Sequence, residues 1–282
     1  RRNNPSAEHR DVIGAFLLIA DYVGTASLSA LDAFHYFNFS RPELWAIFSI
    51  LMIGAINWIG PTKGGSIAVV IGVLASAAAG ILILSTLPHL PHVELALPRG
   101  GWMRNWSSFV GIVLALSGVE AVANMTGIMK QPVEKTSRLA IWPVLLEVSV
   151  LTFLLGIAMN AIPGLTGHTE DMLRALGTHY IGPWYGHVIS FVFGLLLLSA
   201  ANTAIGALVG IQFSMAKDRE LPAVFARLNR FGMPAVALIV AALAPALVLI
   251  FEHNIVRLAA LYAIGVVGAI TLNLGTTATN FE

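Results

Sequence analysis

The chain contains no cysteine, which excludes disulfides and thiolate metal sites. That absence leaves the compartment open, because a helix bundle in lipid needs no disulfide. Charge is scarce as well. Only 11% of the 282 residues are charged, against about a quarter in a soluble domain. A chain that is 57% hydrophobic and so poor in charge reads as an integral membrane protein. The net charge is +1 and no basic run is present to bind phosphates, so no nucleic-acid partner is expected. Catalytic signatures are missing too. There is no His-Glu-x-x-His zinc motif and no Gly-x-Ser-x-Gly elbow, so an intramembrane hydrolase has no support and the chain is not expected to be an enzyme. GPTKGG at 60–65 has glycines and a lysine without the Walker spacing. No cofactor is expected, and no metal beyond an alkali cation.

What is present is long apolar runs. Eight segments approach or exceed the roughly 20 residues of a spanning helix: 12–37, 44–60, 65–87, 106–129, 139–162, 185–215, 234–251 and 255–275. Trp45, Trp102, Trp106, Trp142 and Trp184 sit near their ends, as interfacial aromatics do. Eleven of the sixteen Lys and Arg residues fall on one side of this arrangement, which places the N-terminal end in the cytoplasm. Residues 169–186 read as a short amphipathic helix outside, with Thr169 as its cap and Glu170 and Asp171 in its first turn. Residues 216–234 read as a basic, half-apolar inner loop. The chain starts Arg1-Arg2-Asn3-Asn4 with no Met and no secretory pattern, and it ends in or just after an apolar run. The expectation is one transmembrane domain over 1–282, cut at both ends from a longer protein.

Acidic residues inside such runs are costly and mark ion or proton paths. Asp21, Asp32, Glu120 and Glu147 qualify by position. Glu120 lies in LSGVEAVAN, where Gly118 weakens the helix and Ser117 adds a hydroxyl. A helix broken there exposes backbone carbonyls and N–H groups at mid-membrane, and such irregular backbone is tolerated only beside protein or a cavity. A plain helix with Glu120 bonded to a neighbour is the structural alternative. In DYVGTASLSALD, at about 100° per residue, Asp21, Tyr22, Thr25, Ser29 and Asp32 share an arc of about 100°. These hard oxygen donors suit an alkali cation or an ammonium group, and a packing seam is the alternative. Asp32 sits near the outer end, where solvation explains it equally well. Glu147, Asn124, Asn202 and Thr203 read at least as well as helix-to-helix hydrogen bonders. The histidines are scattered through loops.

These motifs resemble the amino acid–polyamine–organocation (APC) superfamily of permeases. LSGVEAVANMTGIMKQPVEKTSR is similar to its sixth helix, AINWIGPTKGGSI to its fourth-to-fifth connection, and AKDRELPAVFARLNRFGMP to the inner loop after its eighth helix. The eight segments then correspond to helices three to ten. DYVGTASLS, SGVEAVAN, LLSAANTAIGA and LAALYAIGV resemble more closely the branch of KUP-like potassium importers, with Ser117 standing where that branch carries Thr. The resemblance implies an all-α membrane protein of two inverted five-helix repeats, here a first-repeat remainder at 10–88 and a second repeat at 106–275. It implies a cation or substrate site at Asp21, Tyr22, Thr25, Ser29, Ser117 and Glu120, a helix break at Gly118, and Glu120 as proton carrier. Helices one, two, eleven and twelve are missing from this set, so these residues alone are not expected to transport anything. The expected function is proton-coupled potassium import, with an amino acid or amine permease of the same fold as its equal and a non-transporting membrane sensor or scaffold as the third reading. The expected partners are potassium or a small amino acid or amine, protons and the lipid bilayer of the cell membrane; a homodimer is left open.

Overall fold

The computed structural model describes residues 5–60, 64–92, 101–106, 131–160, 162 and 171–279. Among the described residues the chain is helical and contains no named strand. The α-helices are α1 (Pro5–Tyr36), α2 (Pro42–Asn57), α3 (Gly64–Thr86), α4 (Val133–Asn160), α5 (Met172–Tyr180), α6 (Pro183–Lys217), α7 (Ala235–Phe251) and α8 (Ile255–Thr279). Short 3₁₀ turns cover Leu87–His92 and Ala223–Ala226. Among the described residues four stretches are long and apolar enough to cross a membrane: Ile13–Tyr36, Ile67–His89, Val133–Asn160 and Pro183–Lys217. Shorter apolar helices run over Pro42–Asn57, Ala235–Phe251 and Ile255–Ala269. This is the all-α, multi-pass membrane protein that the apolar runs predict. Seven of the eight expected segments coincide with α1–α4 and α6–α8. The remaining one, 106–129, lies outside the described residues after Trp106, and the expected break at Ser117–Glu120 lies there with it.

The chain divides into two compact units, 1–75 with 188–282, and 76–187. In the first, α1 is the central element and packs on α2, α7 and α8, while α2 also packs on α7. Its core joins Ala26, Ala30 and Leu31 of α1 to Ile50 of α2, Ile205 and Leu208 of α6, Leu238 of α7 and Leu258 of α8. Lipid tails are as apolar as leucine, so burial alone does not hold such helices together; close packing and hydrogen bonds between them do. The small residues show where the backbones meet. A Cβ added to Gly54 of α2 would stand 2.7 Å from the Ala242 methyl of α7. Buried Ser27 donates to its own Val23 carbonyl at 2.8 Å and across to the carbonyl of Pro245 in α7 at 3.1 Å. Large apolar side chains on the outer faces stay exposed, among them Phe251 at 83% and Ile264 at 68%. That is how helices present themselves to lipid.

Helix α1 stops where Asn38 adopts a left-handed backbone (φ 58°) and the Phe39 N–H reaches back to the Phe34 carbonyl at 3.1 Å. The rings of Phe34, Phe37, Phe39 and Trp45 then pack the corner into α2.

In the second unit, the Tyr185 hydroxyl donates to the Ala78 carbonyl at 2.6 Å, and Tyr180 donates to the Ala158 carbonyl at 3.1 Å. The first bond ties the start of α6 to α3, and the second ties the end of the short helix α5 to α4. Helix α5 begins at Met172 with Asp171 in the cap position, making no side-chain capping bond. The Asp171 carboxylate lies instead 3.9 Å from Arg174. Thr169, the expected cap, lies outside the described residues.

Candidate functional site

The polar stripe of α1 is not uniform. Asp21 is 0% exposed and Tyr22 is 7% exposed, whereas Thr25, Ser29 and Asp32 are only half-buried. The cause is the crossing with α8. A Cβ added to Gly265 would lie 2.9 Å from both the backbone N and Cα of Asp21. One added to Gly268 would lie 3.2 Å from the Leu17 side chain, and one added to Gly24 would lie 3.3 Å from the Tyr262 backbone. Leu17, Asp21 and Gly24 follow one face of α1, and Tyr262, Gly265 and Gly268 follow one face of α8. The glycines bring the two backbones together at Asp21 and cover it.

Thr25 lies one turn beyond Asp21. Its hydroxyl donates to the Asp21 carbonyl at 2.9 Å and stands 3.4 Å from the carboxylate Oδ1. With its proton directed to the backbone, the Thr25 oxygen keeps its lone pairs as an acceptor. Thr25 thus sets a hydroxyl beside the Asp21 carboxylate, a pair of hard oxygens of the kind that suits an alkali cation or an ammonium group, while Ser29 lies about two turns beyond Asp21 along α1. A fully buried carboxylate is costly unless it is hydrogen-bonded, paired or protonated, and the Thr25 hydroxyl beside Oδ1 offsets part of that cost. Ser117, Gly118 and Glu120, the other expected site residues, lie outside the described residues.

The remaining polar candidates have ordinary roles. Ser76 of α3 donates to Oε1 of Glu147 at 2.5 Å. Asn57 Nδ2 of α2 donates to Asn202 Oδ1 of α6 at 2.9 Å. Thr203 bonds the Ser199 carbonyl of its own helix at 2.9 Å. Helix-to-helix or own-helix bonding accounts for these three, and Asn124 lies outside the described residues.

Sequence reasoning missed two contributors. One is the α8 face of Tyr262, Gly265 and Gly268, whose three-residue spacing on an apolar helix is the signal of a close crossing. The other is Asn229 in the loop after α6. Its Nδ2 donates to the Trp58 carbonyl at 2.8 Å, and its Oδ1 accepts the N–H groups of Phe231 and Met233 at 2.8 and 3.0 Å. It fastens that loop to the end of α2.

A buried carboxylate with hydroxyls at a glycine-lined crossing suits many membrane proteins, so kinship decides among them. The family model described as amino acid permease matches residues 12–277, nearly the whole chain. The chain belongs to the amino acid permease family. That family lies in the APC superfamily, in agreement with the motifs. Among curated relatives, the potassium transporter KimA of Bacillus subtilis is 26% identical over 291 residues, covering 94% of this chain and 47% of that protein. A probable amino-acid permease of Schizosaccharomyces pombe is 30% identical over 135 residues, covering 45% of this chain and 26% of that protein. The chain thus spans about half the length of the first relative and about a quarter of the second.

Proposed function

We propose that the chain is the helix-three-to-ten part of a secondary transporter that carries potassium inward with protons across the cell membrane. The observation that carries this reading is the pair of buried residues Asp21 and Tyr22 at the α1–α8 crossing, with the half-buried Thr25 hydroxyl beside the Asp21 carboxylate. The likeness to KimA supports it, because it runs along 94% of the chain. In this reading Asp21, Tyr22, Thr25, Ser29 and Ser117 bind the cation. Glu120 carries the proton beside the break at Gly118. The first-repeat remainder is 10–88, the second repeat is 106–275, and the N-terminal end faces the cytoplasm. Entry of each positive charge is driven at about 2.3 kcal/mol per 100 mV.

A second reading is proton-coupled uptake of an amino acid or amine. The family description and the fission-yeast relative favour it. It requires backbone N–H groups at a helix break to hold a carboxylate.

The test is growth at micromolar potassium of cells that lack their own potassium uptake, expressing the protein from its full reading frame. Rescue by the intact protein, with failure of well-expressed Glu120→Gln and Asp21→Asn, is the expected result. No rescue by well-expressed intact protein sinks the potassium reading, and labelled amino acid uptake then tests the second one. If no transport is found and Glu120→Gln changes nothing measured, the protein is a membrane sensor or scaffold.

A further inference from the structure

A groove of about 620 Å³ runs between α2 and α7 on the outside of the first unit, away from the Asp21 crossing. Its floor is the close approach of Gly54 to Ala242, where neither residue has a side chain large enough to fill the space. Leu51 and Leu243, 41% and 47% exposed, form apolar walls. From Leu51 to Trp58 the groove follows about 10 Å of helix. One end is different in kind. There Trp58 caps α2, and Arg230 and Phe231 close over the opening.

That end is built. Asn229 fixes the turn to the Trp58 carbonyl, Gly232 supplies the left-handed residue (φ 83°), and the Arg230 guanidinium rests 4.6 Å from the Phe231 ring centroid. Among the described residues no carboxylate lies within ion-pair reach of Arg230. The neighbouring loop adds Lys217, Arg219 and Arg227. An exposed tryptophan marks the depth of the lipid headgroups. Basic pockets between membrane helices attract anionic headgroups, and the cytoplasmic leaflet supplies them.

We propose that this groove is a binding site for an anionic phospholipid, with one acyl chain along Gly54, Ala55 and Ala242 and its phosphate on Arg230. An acyl chain matches the apolar walls, and a phosphate matches a guanidinium held at the interface without a counter-ion among the described residues. The site is separate from the cation site and does not depend on which substrate the protein carries.

Native mass spectrometry of the purified full-length protein tests this, with phosphatidylglycerol and phosphatidylcholine titrated in parallel. The intact protein should hold phosphatidylglycerol about tenfold more tightly, the size of one charge-assisted contact. Arg230→Gln should abolish that preference. Arg227→Gln, the same charge change on the same loop outside the groove, should keep it. Ala55→Phe, a change at an exposed position, fills the groove and should weaken both lipids alike. Equal effects of Arg230→Gln and Arg227→Gln would mean diffuse attraction to a basic loop and would overturn the proposal. So would an unchanged preference in Arg230→Gln. A photo-crosslinker at position 55 in native membranes that captures polypeptide and no lipid would assign the groove to a further helix or a second copy.

Discussion

Asp21 and Glu147 are both carboxylates in apolar runs, and composition alone treats them alike. The structure treats them differently. Asp21 is wholly enclosed at a crossing where Gly265 brings two backbones together. Glu147 is half-buried and accepts a hydrogen bond from Ser76 across α3 and α4. The opposing helix decides the role. A glycine face lets a second backbone close over Asp21 and bury it, whereas a serine facing Glu147 hydrogen-bonds it.

The sharpest way to break this comparison is to put a methyl group on each side. Gly265→Ala places a Cβ 2.9 Å from the Asp21 backbone, which cannot swing aside as a side-chain tip would. Overpacking of this kind costs about 1–3 kcal/mol, so the thermal midpoint in detergent should fall clearly. Gly80 of α3, one turn from Ser76, has nothing within 4 Å of its added Cβ. There Ala should be neutral or stabilise the helix by up to about 1 kcal/mol. Equal midpoints for the two variants would mean that the α1–α8 crossing is looser than described.

The next effect separates ligand from brace. Thr25→Val keeps the shape and removes the oxygen beside Asp21. Under the potassium reading, half-saturation for rubidium uptake should rise roughly tenfold, the worth of a hydrogen bond or ligand at a charged group. Ser76→Ala should leave half-saturation unchanged. Its double-mutant cycle with Glu147→Ala should return about 0.6 kcal/mol of stability, typical of a polar contact between membrane helices. If Ser76→Ala moved half-saturation as far as Thr25→Val, the distinction between the two carboxylates would be lost.

The helices were largely legible because lipid demands it: a spanning segment must be apolar for about 20 residues, and that run survives in any single sequence. The α1 stripe was legible for the same kind of reason, since Asp21, Tyr22, Thr25 and Ser29 recur at helical spacing. What covers the stripe was not legible. Gly265 is far from Asp21 in the chain, and the apolar lipid-facing and protein-facing sides of α8 differ little in composition. The pairing of Asn57 with Asn202 was equally hidden, because a polar residue declares that it has a partner without declaring which one. The Asn229 latch depends on backbone carbonyls and carries no residue pattern at all.

A third carboxylate extends the comparison into water and gives the smallest effect. Glu252 lies between α7 and α8. Its Oε1 accepts the Asn254 N–H at 3.0 Å, and its Oε2 accepts from Arg257 Nη1 at 3.1 Å. The Asn254 backbone donor first, and then Arg257, hold its pKa below the ordinary carboxylate value. A carboxyl whose folded pKa is depressed adds stability above its unfolded pKa and loses it as pH falls through the folded one. The thermal midpoint of the intact protein should therefore exceed that of Glu252→Gln slightly at neutral pH, and the gap should close in acid. Salt should shrink the part that comes from Arg257, because the pair is exposed and screened. A gap that survives acidification would trace to the shape of the loop and not to its charge. Glu252 would then resemble Glu147, a carboxylate whose worth is its hydrogen bond.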